Sequence, residues 1–220
     1  MSMALQLSSR QWIENVGKVI GTGPNFKLFR EEKGLKEEDG LSLFMKTPGS
    51  LVTAGTNFIS PDITEFICEV EMAVIIGKRA ERVSEAEAAD YIAGYALAND
   101  MTASSHWDNG RFKMFDQMTP IGPVISADKV RDHQNITLEM RVNGEPVQKD
   151  STASMLYPVN WLISHISHIT ALNPYDVILT GTPSNPKVCA IGDVIELRSP
   201  ELGEFRHRIA LVGAGERYEG

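Results

Sequence analysis

The sequence predicts a mixed α+β fold in which strands dominate and a few short helices lie between them. Strand-sized segments recur along the chain, helical spacing is confined to short stretches, and no strand–helix–strand rhythm marks a doubly wound sheet. Neither an internal repeat nor a linker divides the sequence, so residues 1–220 read as one domain. At this length roughly 70% of the unfolded chain's surface should be buried.

Asn15–Ile20 is the first strand candidate and ends in Gly21-Thr22-Gly23-Pro24. A dinucleotide-binding turn is excluded there, because the third glycine is missing and Pro24 removes an amide from the phosphate cradle. Asn25 to Gly40 is dense in charge and broken by Gly34, which predicts a short, poorly anchored helix, either a solvated surface helix or a mobile lid; residues of about 15–40 read as an N-terminal strand and lid segment. Leu43 to Pro61 is extended and rich in turn residues, and Phe66–Gly77 is the strongest strand signal. Ser84 and Glu87 form a capping box, followed by a helix over Ala88–Ala93 closed by Gly94. Tyr95–Asn99 is a strand running into Asp100, and Leu138–Val142 alternates into Asn143-Gly144, a type I′ hairpin pair. Pro158–Leu172 carries helical spacing at Leu162, Ile163, Ile166 and Ile169, before strands at Asp176–Thr180 and Asp193–Leu197.

Lys+Arg 21 against Asp+Glu 29 gives a net charge of -8. That balance argues against nucleic acid as a partner but permits an anionic substrate in a locally cationic cleft. The longest apolar run, Met72–Gly77, is strand-sized, so no membrane span is expected. The first ten residues lack a basic region followed by an apolar run, and Cys68 and Cys189 sit in apolar contexts. Both features suit a cytoplasmic protein with reduced core thiols.

Period-2 geometry puts Glu69 and Glu71 on one strand face, continued by apolar Ala73 and Ile75. Two carboxylates ~4 Å apart repel by roughly 4 kcal/mol at an effective dielectric of 20. An exposed face, a raised pKa or a bound cation would each resolve that cost. Asp100 ends the next strand, either as a turn cap or as a carboxylate aimed into a cleft. Three carboxylates without Cys or His would favour Mg²⁺ or Mn²⁺, with Ca²⁺ admissible, for instance in crystals. His165 and His168 share a helical face but have no third ligand in sight.

Glu69-Val-Glu71-Met-Ala-Val-Ile-Ile-Gly77-Lys78 and Gly94-Tyr95-Ala-Leu-Ala-Asn99-Asp100-Met-Thr102 resemble motifs of the fumarylacetoacetate hydrolase family. Lys113-Met-Phe115-Asp116, Pro120-Ile-Gly122-Pro123, Arg141-Val-Asn143-Gly144-Glu145 and Asp176-Val-Ile-Leu-Thr180-Gly181-Thr182-Pro183 follow in the same order. The resemblance implies a β-roll or mixed β-sandwich like the family's C-terminal domain, paired as a homodimer. It implies metal ligation by Glu69, Glu71 and Asp100, a site lysine at Lys113, and contacts to a small keto or enol acid from Asn25, Gly181 and Thr182. Such relatives isomerise, decarboxylate or hydrolyse 2-oxo and 2,4-dioxo acids, reactions that share an enolate stabilised by a Lewis-acidic ion.

The chain departs from the family pattern on the lid. Gly23-Pro24-Asn25-Phe26 matches its entry, yet Phe29 stands where hydrolytic relatives carry a His, while Glu32 keeps the acidic position. A Phe cannot deprotonate water. This favours isomerase or decarboxylase chemistry with Glu32 as proton shuttle; the alternatives are a C–C hydrolase and a catalytically silent metal- and carboxylate-binding relative. His106 is a candidate replacement for the missing lid His, and Lys27, Arg30 and Lys187 are candidates to hold a distal carboxylate.

Overall fold

The computed structural model describes residues 7, 10–53 and 55–213. In chain order the strands begin with β1 (Val19–Thr22), β2 (Leu43–Lys46), β3 (Leu51–Thr53), β4 (Gly55–Ile59), β5 (Phe66–Cys68), β6 (Val70–Ile76), β7 (Ile92–Asn99) and β8 (Thr119–Ile121). They continue as β9 (Ile125–Ser126), β10 (Thr137–Val142), β11 (Glu145–Ser151), β12 (Val177–Leu179), β13 (Lys187–Cys189), β14 (Val194–Ser199) and β15 (Gly203–Leu211). The α-helices are α1 (Lys27–Glu32), α2 (Glu85–Ala88) and α3 (Val159–Ile169). Strands thus dominate, as the sequence predicts.

A large sheet runs in the order β2-β1-β12-β6-β7-β8-β3, with β9 on β7; a second runs β11-β10-β14-β15-β4, and β13 pairs with β5 alone. At the centre of the large sheet β6 lies antiparallel to both β12 and β7. Every residue of β6 is buried, because both faces of the sheet are covered. One core contains Met72, Val74, Leu138, Ile163 and Ile195 and joins the second sheet and α3 to the large sheet. The opposite face packs Ala73, Ile75 and Val177 against Trp12 and Val16 at the N-terminal side. Burying each large aliphatic side chain contributes about 1.5–3 kcal/mol, so β6 is the most strongly held strand.

Several sequence expectations are corrected. The Phe66–Gly77 segment is two strands in different sheets, parted at Glu69. There the Glu69 N–H bonds the Asn99 side chain at 2.9 Å instead of a neighbouring strand. The helix placed over Ala88–Ala93 ends sooner: α2 passes into a 3-10 turn at Ala89–Tyr91, and Ala93 and Gly94 belong to β7. Gly94 does not end a helix but admits β9, since a Cβ there would lie 2.6 Å from the Ile125 carbonyl oxygen. The first strand starts only at Val19, after a 3-10 helix over Arg10–Asn15. In α3 the predicted face is buried at Leu162, Ile163 and Ile166, whereas Ile169 is exposed at the helix end. The type I′ hairpin stands, with Asn143 and Gly144 both at positive φ.

The lid segment is anchored, contrary to expectation. The Arg30 guanidinium is buried and donates to the carbonyl oxygens of Pro24 and Gly40 at 3.0 Å and to that of Lys36. These bonds fold the 3-10 turn at Glu37–Asp39 back onto α1.

Candidate metal centre and substrate pocket

The Glu69 junction brings the three predicted carboxylates together. The Asp100 N–H donates to the Glu69 carbonyl at 2.9 Å, which fixes the end of β7 against the gap between β5 and β6. Glu71 projects from the start of β6, where its Oε2 accepts the Gly181 N–H at 2.8 Å. Glu69, Glu71, Asp100, Lys113 and Thr182 all line one pocket of about 500 Å³, a volume suited to a small organic acid.

Charge compensation in that pocket comes from two lysines. The Lys113 ammonium lies 2.5 Å from Asp100 Oδ2 and 3.1 Å from Glu69 Oε2. Lys46 is wholly buried, 2.6 Å from Asp100 Oδ1, and also donates to the Met101 and Met118 carbonyls at 2.9 Å. Burial alone would raise the Asp100 pKa, but Lys113 and Lys46 outweigh it and hold the carboxyl below its usual range. Burial opposes the charge on Lys113 too, yet Asp100 and Glu69 keep it firmly protonated. Lys46, held by fewer charges, is pulled down to about 8 by desolvation. Glu71 has no ammonium at bonding distance; burial first, then the Asp100 charge, pushes its carboxyl well above the usual range.

That imbalance is the test of whether a cation fits. Among the described residues no three acidic, histidine or cysteine side chains already stand at ion-holding spacing. The donor set is nonetheless three carboxylates with oxygen donors only, one of them buried and under-compensated. A hard divalent ion suits such donors and would relieve the Glu71–Asp100 repulsion.

The other expected site residues divide. Thr182 lines the pocket, with its Oγ1 accepting from Gln148 Nε2 at 2.9 Å. Gly181, at φ +96, directs its N–H to Glu71 and so positions a carboxylate more than a substrate. Asn25 is fully buried and both its amide protons are engaged, by the Tyr157 carbonyl at 3.0 Å and the Thr180 carbonyl at 2.9 Å. Its effect is to clip the lid entry to the Gly181 loop, a correction to the expected substrate contact. Glu32 accepts from the Ser184 hydroxyl beside the pocket mouth and is not a wall residue, whereas Phe29 and Lys33 of the same segment are. His106 faces away, its ring bonded to the Asp62 carbonyl and to Asn109, so it does not replace a lid His; its neighbour Trp107 lines the pocket instead. His165 and His168 lie on α3, where His165 stacks on Trp161 and His168 bonds the Ser164 carbonyl.

Sequence reasoning missed Lys46, Thr22, Gln148 and His207. Thr22 is 3% exposed, lines the pocket, and its hydroxyl has no hydrogen-bond partner among the described residues. Gln148 accepts the Val70 N–H at 3.0 Å and donates to Thr182 Oγ1 and the Pro183 carbonyl, tying the second sheet to both sides of the carboxylate seat. His207 Nε2 lies 3.1 Å from Asn99 Nδ2 and Nδ1 2.6 Å from Asn57 Oδ1, so the amide bonds assign the proton to Nδ1. Asn99 thereby stands between His207 and the Glu69 backbone. Of these only Lys46, a lysine inside a short strand, leaves a mark in the sequence.

Comparison with known proteins agrees with this architecture. The chain is 33% identical over 200 residues to the 4-hydroxyphenylacetate degradation bifunctional isomerase/decarboxylase of Salmonella dublin, covering 88% of this chain and 47% of that protein. The chain therefore spans about half the length of that relative. A fumarylpyruvate hydrolase from Pseudomonas aeruginosa, solved with Mn²⁺ and pyruvate, superposes with a TM-score of 0.83 at 25% identity, covering 90% of this chain and 91% of that one. The 5-carboxymethyl-2-hydroxymuconate delta-isomerase from Mycobacterium smegmatis superposes with a TM-score of 0.82 at 28% identity, over 90% and 80% of the two chains. The Fumarylacetoacetate (FAA) hydrolase C-terminal family matches residues 5–210, and on that span the chain belongs to the fumarylacetoacetate hydrolase family.

Proposed function

We propose that the chain is a divalent-metal-dependent enzyme acting on 2-oxo, 2-hydroxy-enoic or 2,4-dioxo acids, by isomerisation or decarboxylation in preference to C–C hydrolysis. The observation that carries this reading is the gathering of Glu69, Glu71, Asp100 and Lys113 in one pocket whose lid wall is Phe29. When bound, Mg²⁺ or Mn²⁺ would be held by the three carboxylates and would act as a Lewis acid toward a chelating 2-oxo carboxylate. Lys113 supplies fixed positive charge beside the reacting oxygens. The free hydroxyl of Thr22, with Thr182, orients the acid head. Among the described residues no imidazole lines the pocket to prepare a water molecule, and Glu32, bonded to Ser184 outside the wall, is the group assigned to carry the proton once the lid brings it inward. Cytoplasmic residence and a homodimeric assembly belong to the same reading. Among the described residues no helix is long and apolar enough to cross a membrane.

The test is turnover of oxaloacetate, an acylpyruvate, fumarylacetoacetate and 5-carboxymethyl-2-hydroxymuconate with Mg²⁺, Mn²⁺ or chelator, with products identified. Turnover should need the ion and fall by about 100-fold or more in Glu69→Gln and Glu32→Gln. Conversion in chelator, or an unimpaired Glu69→Gln, would refute the mechanism. Cleavage of an acylpyruvate as the fastest reaction would select the hydrolase alternative.

A further inference from the structure

Beyond the carboxylate seat, the pocket wall changes character. Phe29, Leu35, Trp107, Phe112 and Pro186 face it, while Phe44 lies at the seat itself, its ring centroid 4.7 Å from the Lys113 ammonium. Trp107 and Phe112 stack with ring centroids 4.4 Å apart, yet Trp107 remains 59% exposed. An indole left this open beside a pocket contributes little burial to folding.

The cations that a distal carboxylate would need are elsewhere. Arg30 is engaged by three carbonyl oxygens of its own segment. Lys27 and Lys187 are exposed and outside the wall, which corrects their assignment as distal contacts. Lys113 is held by Asp100 and Glu69. Lys33 lines the wall but is exposed, its ammonium 5.2 Å from the Phe29 ring centroid. A second carboxylate carried into this part of the pocket would lose water without gaining a buried partner.

We infer that the outer pocket selects a 2-oxo acid with an apolar, aryl-sized tail over one ending in a second carboxylate. This rests on the functional reading above, in which the acid head occupies the Glu69–Glu71–Asp100 seat. Trp107 and Phe112 are the residues that set the preference, by stacking on the tail.

Three acids with the same head separate the possibilities by titration calorimetry on the Mn²⁺-loaded full chain: pyruvate, 4-phenyl-2-oxobutanoate and 2-oxoglutarate. The last two differ only in phenyl against carboxylate at the far end. The phenyl acid should bind about 10-fold or more tighter than pyruvate, and 2-oxoglutarate no tighter than pyruvate. Trp107→Ala, at an exposed position, should remove about 10-fold of the phenyl advantage and leave pyruvate unchanged. Lys33→Met should leave the ranking as it is. Tighter binding of 2-oxoglutarate, or pyruvate binding with no gain from phenyl, would overturn the inference alone. If none of the three binds, the functional reading falls and the inference with it.

Discussion

Glu71 and Lys46 bear opposite strains, and their substitution should move stability in opposite directions. Glu71 is a buried carboxylate facing Asp100 without an ammonium of its own, so Glu71→Gln should raise the melting temperature in chelator and abolish the rise that Mn²⁺ gives the parent protein. Lys46→Met removes one of the two ammoniums that compensate Asp100 and strips the Met101 and Met118 carbonyls of a donor. It should cost about 3 kcal/mol by urea unfolding without metal, and Mn²⁺ should restore more stability than it adds to the parent. A third residue responds to acid. Burial pushes the His207 imidazole down to about 3, against about 6.5 in an unfolded chain. The unfolded state therefore binds the proton first, and between these values stability falls as pH falls, by about 1.4 kcal/mol per pH unit from this group. His207→Asn should flatten that slope in denaturant midpoints measured between pH 7 and pH 5; an unchanged slope would show that the imidazole is not held neutral.

At the scale of elements, Gly94 makes the packing argument testable. A methyl there meets the Ile125 carbonyl and Val124 Cγ1 within 2.7 Å, so Gly94→Ala should cost about 1–3 kcal/mol in the same unfolding assay. The same glycine shows why some boundaries were illegible. Gly after an alanine-rich, capped segment reads as a helix terminus, and only the strand crossing it in space reveals the other use. Interior strands such as β6, β12 and β14 were legible because burial imposes their composition. β11 and β15 were not: β11 buries Gln148 as its inward anchor, and β15 alternates Phe205, His207 and Ile209 with charged residues. In the site, the carboxylates and Lys113 were legible through motif spacing. Gln148 and His207 act through partners more than 30 residues away in sequence, and Thr22 matters only for the pocket it faces, so no local pattern announces them.

Over the whole molecule, a net charge of -8 surrounds a pocket proposed to receive an anion. The long-range field should slow the approach of the acid, and salt should relieve it. Between about 20 and about 200 mM salt the association rate of a 2-oxo acid, measured by stopped flow with Mn²⁺ present, should rise by about two-fold. A fall would mean that local cations steer the encounter. The break at Glu69 has a consequence at this scale too. One strand leading into it pairs with β13 and, through a single Ile67–Thr102 bridge, with the segment after β7, while the other is locked into the centre of the large sheet. Glu69 itself is tied to the end of β7, its N–H bonding Asn99, its carbonyl accepting the Asp100 N–H and its carboxylate accepting the Thr102 hydroxyl. An ion seated there would act as a rivet between the two-stranded ribbon and the large sheet, and its escape should loosen that junction ahead of the sheet centre.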